Sequence, residues 1–265
     1  MEPVISVELM RKSDEYTIKT EVPSKVLMYN AGKAVFEKAC FKGNTAIVCG
    51  SGNNAGDGYV IALEMAKYSL NPTLVLLDNK FSPDGLHYFE KCKKAGIAYV
   101  FADENISFDN YDEICDCIFG TGFKGEPRGL TATIIDKINS SGKRVVSVDI
   151  NSGLNGDTGE FEKCVRSDLT VSVGFLKTGF FLGKAASVIG KLVNADIGIT
   201  LAEKGYFLAK PQDIAFPYTS VNFKPSANPV SELIRFAQGK YIKWNNIITN
   251  GENTYILRGD TNYEY

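Results

Sequence analysis

Apolar positions recur along this chain with two alternating periods. Leu27, Ala31, Ala34 and Val35 fall at i, i+4, i+7 and i+8 and predict a helix after Pro23 with one buried stripe. Tyr59, Ala62, Leu63, Ala66 and Leu70 mark the buried face of another. Between these lie short runs that are apolar almost throughout, at 45–49, 73–77, 97–101, 114–119 and 144–148, each read as a strand, with further helices over 84–95 and near 130–141. A first helix is expected over 6–20 with Ser6 as its N-cap; Leu9 stands three residues on, so no capping box marks its start. Continuous apolar strands separated by helices imply a parallel sheet covered on both faces. After residue 165 the runs LTVSVGF and KLVNADIGI read as two more strands with no long helix between them. The expected fold class is α/β: a Rossmann-like, doubly wound, mostly parallel sheet in a three-layer α/β/α sandwich.

The pattern changes near Gly205. Pro211, Pro217, Pro225 and Pro229 predict an extended crossing, followed by a short helix within 230–238. Asn250-Gly251 between β-prone runs predicts a hairpin. Two units are expected: residues 1–204, and a proline-containing C-terminal extension, 205–265, too short to be a catalytic domain of its own.

Composition narrows the partners. With 265 residues, 44% hydrophobic, and a net charge of −2, the chain has ample material for a core and no basic surface for nucleic acid or an anionic membrane. No apolar stretch approaches the roughly 20 residues of a membrane span. The opening MEPVISVELMRKSDEY lacks the basic-then-apolar pattern of a secretion signal, so the cytoplasm is expected. The six cysteines form no C-x-x-C pairs and the only histidine is His87, which argues against structural zinc. Cys115 and Cys117 read as small core residues with reduced thiols, and His87 as a solvated side chain on a surface helix.

Three stretches carry candidate chemistry. GSGNNAGDG, residues 50–58, follows a strand and opens a helix, where backbone N–H groups favour an anion. It is neither a P-loop nor the spaced dinucleotide fingerprint. Such a turn can also serve only to connect strand to helix, but Asn53, Asn54 and Asp57 add side chains able to orient a ligand or donate oxygens to a cation. In DCIFGTGFKGEPR, Asp116 lies inside an apolar run and needs a partner or a metal. Its glycines Gly120, Gly122 and Gly125 form a loop at the sheet edge where ligands of open α/β sheets bind. In VDINSGLNGD, Asp149 closes another strand at that edge and is either a general acid/base or an Asx-turn residue bonded only to backbone amides. Lys177 joins this chemistry only if the fold brings it to Asp149.

These motifs, GSGNNAGDG, DCIFGTGFKGEPRG and VDINSGLNGDTG, with the later DLTVSVGFLKTG, resemble in order and spacing the NAD(P)HX epimerase family, also called the YjeF N-terminal domain. The similarity runs over about residues 6–199, including ELMRKSDEY and VLMYNAGKA. The resemblance implies an isomerase that interconverts the R and S epimers of NADHX and NADPHX, nicotinamide dinucleotides hydrated across a ring double bond. It implies substrate binding by Asn53, Asn54, Ala55, Gly56 and Asp57, by Gly120, Thr121, Gly122, Phe123, Lys124, Gly125 and Glu126, and by Asp149. Asp149 is the expected acid/base, able to donate and then accept a proton, and Lys177 the expected stabiliser of charge. Asn54, Asp116 and Ser152 are expected to hold a potassium ion. A homodimer and a separate NAD(P)HX dehydratase as functional partner are also implied.

The chain departs from the family pattern in three places. Asn151 replaces a usual proline, which is expected to loosen the turn that aims Asp149 and Ser152. Ala55 replaces a usual glycine, which matters if φ is positive there, and Tyr29 replaces a usual acidic residue. Two rivals have different requirements. A non-catalytic dimeric scaffold would not need Asn53, Asn54, Asp57, Asp116 and Asp149 converging on one edge. A Rossmann oxidoreductase would need a spaced glycine fingerprint before Asp78.

Overall fold

The computed structural model describes residues 2–224 and 228–264, so Pro225 of the expected crossing lies outside the described residues. The chain runs through β1 (Pro3–Ile5), α1 (Val7–Thr20), α2 (Ser24–Ala39), β2 (Asn44–Cys49), α3 (Asn53–Lys67), β3 (Asn71–Leu76), α4 (Pro83–Lys94) and β4 (Ala98–Phe101). It continues through β5 (Glu113–Cys117), α5 (Gly129–Ser140), β6 (Arg144–Val148), β7 (Ser167–Val173), β8 (Leu176–Lys177) and β9 (Ile189–Ala195). The extension adds β10 (Tyr206–Ala209), β11 (Thr219–Ser220), α6 (Pro229–Phe236), β12 (Ile242–Trp244), β13 (Ile247–Thr249) and β14 (Thr254–Leu257).

The main sheet has the order β4-β3-β2-β5-β6-β7-β9 and every ladder in it is parallel. Strand order reverses between β2 and β5. That switch point opens a crevice outside the C-terminal strand ends, the place where open α/β sheets take their ligands. Helices α1 to α4 pack on one face through Met10, Leu27, Tyr59 and Phe89, and α5 covers the other through Ile134, Ile135 and Ile138. This is the Rossmann-like layering that the apolar strands predict. Ser6 caps α1 as expected, its hydroxyl accepting from Leu9 N at 3.2 Å.

Three features differ from the pattern reading. β4 is exposed at all four positions, because it is the edge strand and only β3 flanks it. Apolar character alone therefore did not mean burial on both faces. β1, too short to show a period, precedes the first helix and pairs with β8 and β10. Lastly, a second sheet, β11-β12-β13-β14-β10-β1-β8, draws strands both from the extension and from the first 204 residues. A shared core joins it to the main sheet through Ile189 and Leu192 of β9 and Ile247 and Ile256 of the extension.

Within the extension the hairpin at Asn250-Gly251 is present, with Thr249 paired to Thr254 across a four-residue turn, and α6 overlaps the expected region, starting one residue earlier. All six cysteines are free; five are buried and Cys40 is exposed. Among the described residues no helix is long and apolar enough to cross a membrane.

Candidate active site

The loop after β2 can reach the crevice because residue 50 is glycine: a Cβ there would lie 2.2 Å from the carbonyl oxygen of Ile118. Gly52 caps α3 without a side-chain bond, so the first-turn amides of that helix have no capping acceptor and open onto the crevice. Asn54 fastens the neighbouring strand ends together. Its Nδ2 donates to Phe119 O at 2.9 Å and to Val148 O at 3.2 Å, while its buried Oδ1 has no hydrogen-bond partner.

Asp116 is fully buried beneath this loop. Its Oδ1 accepts from Ser152 Oγ at 2.5 Å and Ile118 N at 3.2 Å, and its Oδ2 from Ser147 Oγ and Ser152 N, both at 2.9 Å. Burial pushes this carboxyl above the usual carboxylate range, and the bonds from Ser152, Ile118 and Ser147 pull it back. The group ties the end of β5 to the turn after β6.

Asp149, immediately after β6, has φ +67°, a left-handed conformation that costs a non-glycine residue on the order of 1 kcal/mol. The strained backbone aims its carboxylate at two donors. Lys177 Nζ lies 2.6 Å from Oδ1 and Thr121 N lies 3.0 Å from Oδ2. Gly120 leaves room for this arrangement, since a Cβ there would come 2.9 Å from Asp149 Oδ2. Lys177 on β8 is wholly buried; its ammonium also donates to Val173 O at 2.8 Å and Ser172 Oγ at 3.2 Å. The fold thus meets the condition under which Lys177 becomes chemically relevant.

A cleft of about 760 Å³ lies over this pair. Asn53, Asn54, Asp57, Gly120, Thr121, Gly122, Phe123, Lys124 and Asp149 line it. Ala55 and Gly56 do not; they are buried on the inner side of α3. Gly125 and Glu126 point to solvent beyond the loop, while Asp116, Ser152 and Lys177 sit beneath the lining. Phe123 is steadied by stacking on Phe119, ring centroids 3.8 Å apart.

Pattern reading missed Asp14, which lines the same cleft from α1. A signal existed: Asp14 lies four residues after Met10 and three before Thr17, both buried, and so falls on the inward stripe of its helix. Burial, then the charge of Asp149, raises its carboxyl to about 6, with Lys177 acting in the opposite direction. Asp57 is likewise raised, by burial first and then by Asp149 and Asp14.

Each departure from the family pattern has a structural answer. Asn151 does not loosen its turn. Its Nδ2 lies 2.9 Å from Val165 O, 2.9 Å from Ser167 Oγ and 3.0 Å from Val188 O, and its Oδ1 accepts from Thr170 Oγ1 at 2.6 Å. Hydrogen bonds hold the turn where a ring would have fixed φ. Ala55 sits inside α3 with no positive φ, so a methyl group is no strain there. Tyr29 OH lies 3.0 Å from Glu64 Oε1, and Lys67 completes the cluster at 2.5 Å from the same oxygen.

The family described as YjeF-related protein N-terminus matches residues 24–179. An NAD(P)H-hydrate epimerase of Lentilactobacillus buchneri is 36% identical over 208 residues, covering 75% of this chain and 96% of that protein. One from Oenococcus oeni is 32% identical over 204 residues, covering 74% and 96%. The bifunctional NAD(P)H-hydrate repair enzyme Nnr of Archaeoglobus fulgidus is 36% identical over 197 residues, 73% of this chain but only 40% of the relative. Among solved structures, the crystal structure of yeast ynu0, YNL200c, superposes with a TM-score of 0.61 at 22% identity, covering 70% of this chain and 84% of that one, and bears on the fold alone.

Proposed function

The chain belongs to the YjeF-related protein N-terminus family, and from that premise we propose that it is an NAD(P)H-hydrate epimerase, an isomerase acting on hydrated nicotinamide dinucleotides through Asp149 and Lys177. The observation that carries the assignment of residues is the 2.6 Å Lys177–Asp149 pair at the floor of a cleft on the topological switch point. The substrate is NADHX or NADPHX. Its pyrophosphate lies against the α3 amides, and its damaged ring against Asp149 between the 50–58 turn and the loop of Gly120 to Lys124.

The hydroxyl-bearing carbon of the substrate adjoins the ring nitrogen. The nitrogen lone pair expels the hydroxyl, leaving an iminium-like ring that water can attack from either face. Asp149 exchanges the proton with that water. Lys177 acts on Asp149: its buried ammonium fixes the carboxylate's rotamer and balances its charge.

A potassium ion fits the chemistry beneath the cleft, because Asn54 Oδ1 is a buried oxygen without a partner beside the polar cluster of Asp116 and Ser152. Asn54 Oδ1, with Asp116 and Ser152 exchanging present hydrogen bonds for the metal, would hold the ion, which would supply positive charge that keeps the loops in register and offsets ligand charge. The working unit is a homodimer in the cytoplasm, where the free thiols of Cys115 and Cys117, 3.6 Å apart, stay reduced. The bifunctional repair enzyme of Archaeoglobus fulgidus, of which this chain spans 40%, supports an NAD(P)H-hydrate dehydratase as the neighbouring activity.

The test is conversion of purified (R)-NADPHX to its S epimer, followed by chiral chromatography, in potassium and in potassium-free buffer. Interconversion by the wild type that is lost in Asp149→Asn, with substrate binding retained, is the expected result. Well-folded protein that converts neither epimer in either buffer refutes the assignment.

A further inference from the structure

Epimerisation by loss and return of water requires two proton transfers at one carbon: the departing hydroxyl takes a proton, and the incoming water gives one up. Asp149 is built for the second. With Lys177 Nζ on Oδ1 and Thr121 N on Oδ2, both of its oxygens face hydrogen-bond donors, the placement of a proton acceptor. The proton donor must come from elsewhere in the cleft.

Resting on the epimerase reading, we propose that Asp14 is a second catalytic residue, the carboxylic acid that protonates the departing hydroxyl while Asp149 receives the proton of water entering at the opposite ring face. Asp14 lies on the stretch of α1 that walls the cleft, between Met10 and Ile18, while Asp149 lies at the ends of the central strands. Among the described residues nothing gives Asp14 a hydrogen bond or an ion pair; its neighbours Arg11 and Glu15 pair with each other, and Arg11 also with Glu8. A carboxyl group left unpartnered at the cleft wall is free for a ligand. The charged groups that face it from other elements are Asp149 after β6, Lys177 on β8, and Asp57 on α3. Burial first, and then the charge of Asp149 against the opposing charge of Lys177, keeps its proton up to about pH 6, which leaves a usable protonated fraction near neutrality.

The chemistry balances. The carbon–oxygen bond breaks with its electrons on oxygen, which takes the Asp14 proton and leaves as water, as the nitrogen lone pair closes a carbon–nitrogen double bond. A water molecule then donates its pair to the carbon from the other face, the double-bond pair returns to nitrogen, and Asp149 takes the released proton. Asp149 ends protonated and Asp14 ionised, and exchange with solvent through the open cleft resets them. The reverse reaction uses the same groups with their roles exchanged.

The experiment measures kcat and KM for both epimers between pH 5 and 8 in wild type, Asp14→Asn and Asp14→Ala, with thermal unfolding of each. Asp14→Asn is expected to fold, to lose about 10²–10³-fold in kcat with little change in KM, and to lack the wild-type decline in kcat/KM as pH rises through about 6. Formate is expected to restore part of the activity of Asp14→Ala, which a purely structural role would not produce. An active wild type beside an Asp14→Asn enzyme of equal rate and identical pH profile overturns the role of Asp14 and leaves the epimerase reading intact. So does failure of formate to restore Asp14→Ala, should Asp14→Asn not fold. An inactive wild type overturns both.

Discussion

Asp116 and Asp149 stand at the C-terminal ends of neighbouring parallel strands, β5 and β6, and share little beyond residue type. Asp116 is sealed from solvent and accepts hydrogen bonds on both oxygens from Ser147, Ser152 and Ile118. Asp149 sits on a strained backbone at the cleft, 15% exposed at the side chain, with one buried ammonium as its chief partner. The first carboxylate holds two loops at fixed positions; the second is presented by those loops to a ligand. Like residues near the ends of adjacent strands acquire different work from the donors around them, and a saturated carboxylate has no acceptor left for a substrate proton.

Substitutions can break or sharpen this contrast. Asp149→Asn should cost the most in activity, about 10³-fold in turnover, read by epimer chromatography. Asp116→Asn should act on the fold instead. Its amide N–H₂ would face the donors Ser152 N and Ser147 Oγ, or Ile118 N and Ser152 Oγ, so stability should fall by about 2–3 kcal/mol in denaturant unfolding. If Asp116→Asn kept the stability of wild type, the division between holding and presenting would fail.

Asn151→Pro tests the hold on the Asp149 turn from behind. Although proline suits the family pattern, here it would strip partners from Thr170, Ser167 and two carbonyls, and a loss of about 1–2 kcal/mol is expected in the same unfolding assay. The smallest effect concerns Asp14. Its carboxyl is raised from 3.8 to about 6 in the fold, so the folded state binds more protons between those values and stability falls as pH rises through them. Above that window Asp14→Asn should be more stable than wild type by about 1 kcal/mol, allowing for solvent at the cleft, and the gap should close below pH 4. Melting curves at pH 4 and 7 decide it.

Much of the frame was legible in local pattern. Helix periods and apolar runs place the strands of the main sheet within a few residues, and glycines in the loops after β2 and β5 mark where those loops pass close to other groups. Asp149 was legible for the same reason, as a carboxylate ending an apolar strand. Asp14 was not singled out, because an acidic residue on an amphipathic helix reads as solvated, although its spacing from Met10 and Thr17 put it on the inward stripe. The short β1 had no period to read, and the exposure of β4 depends on which strand lies at the edge.

The amino-acid pattern by itself determined the parallel α/β sheet and the polar loops at its C-terminal strand edge, since both follow from the spacing of neighbours along the chain. Tertiary structure alone decided that Lys177, 28 residues from Asp149, is its partner, that Asn151 is held by residues up to 37 positions away, and that the extension shares a sheet with β1 and β8. Those outcomes rest on distances in space between groups remote in sequence, and on the burial that makes a single charge or hydrogen bond decisive. No local period encodes either quantity.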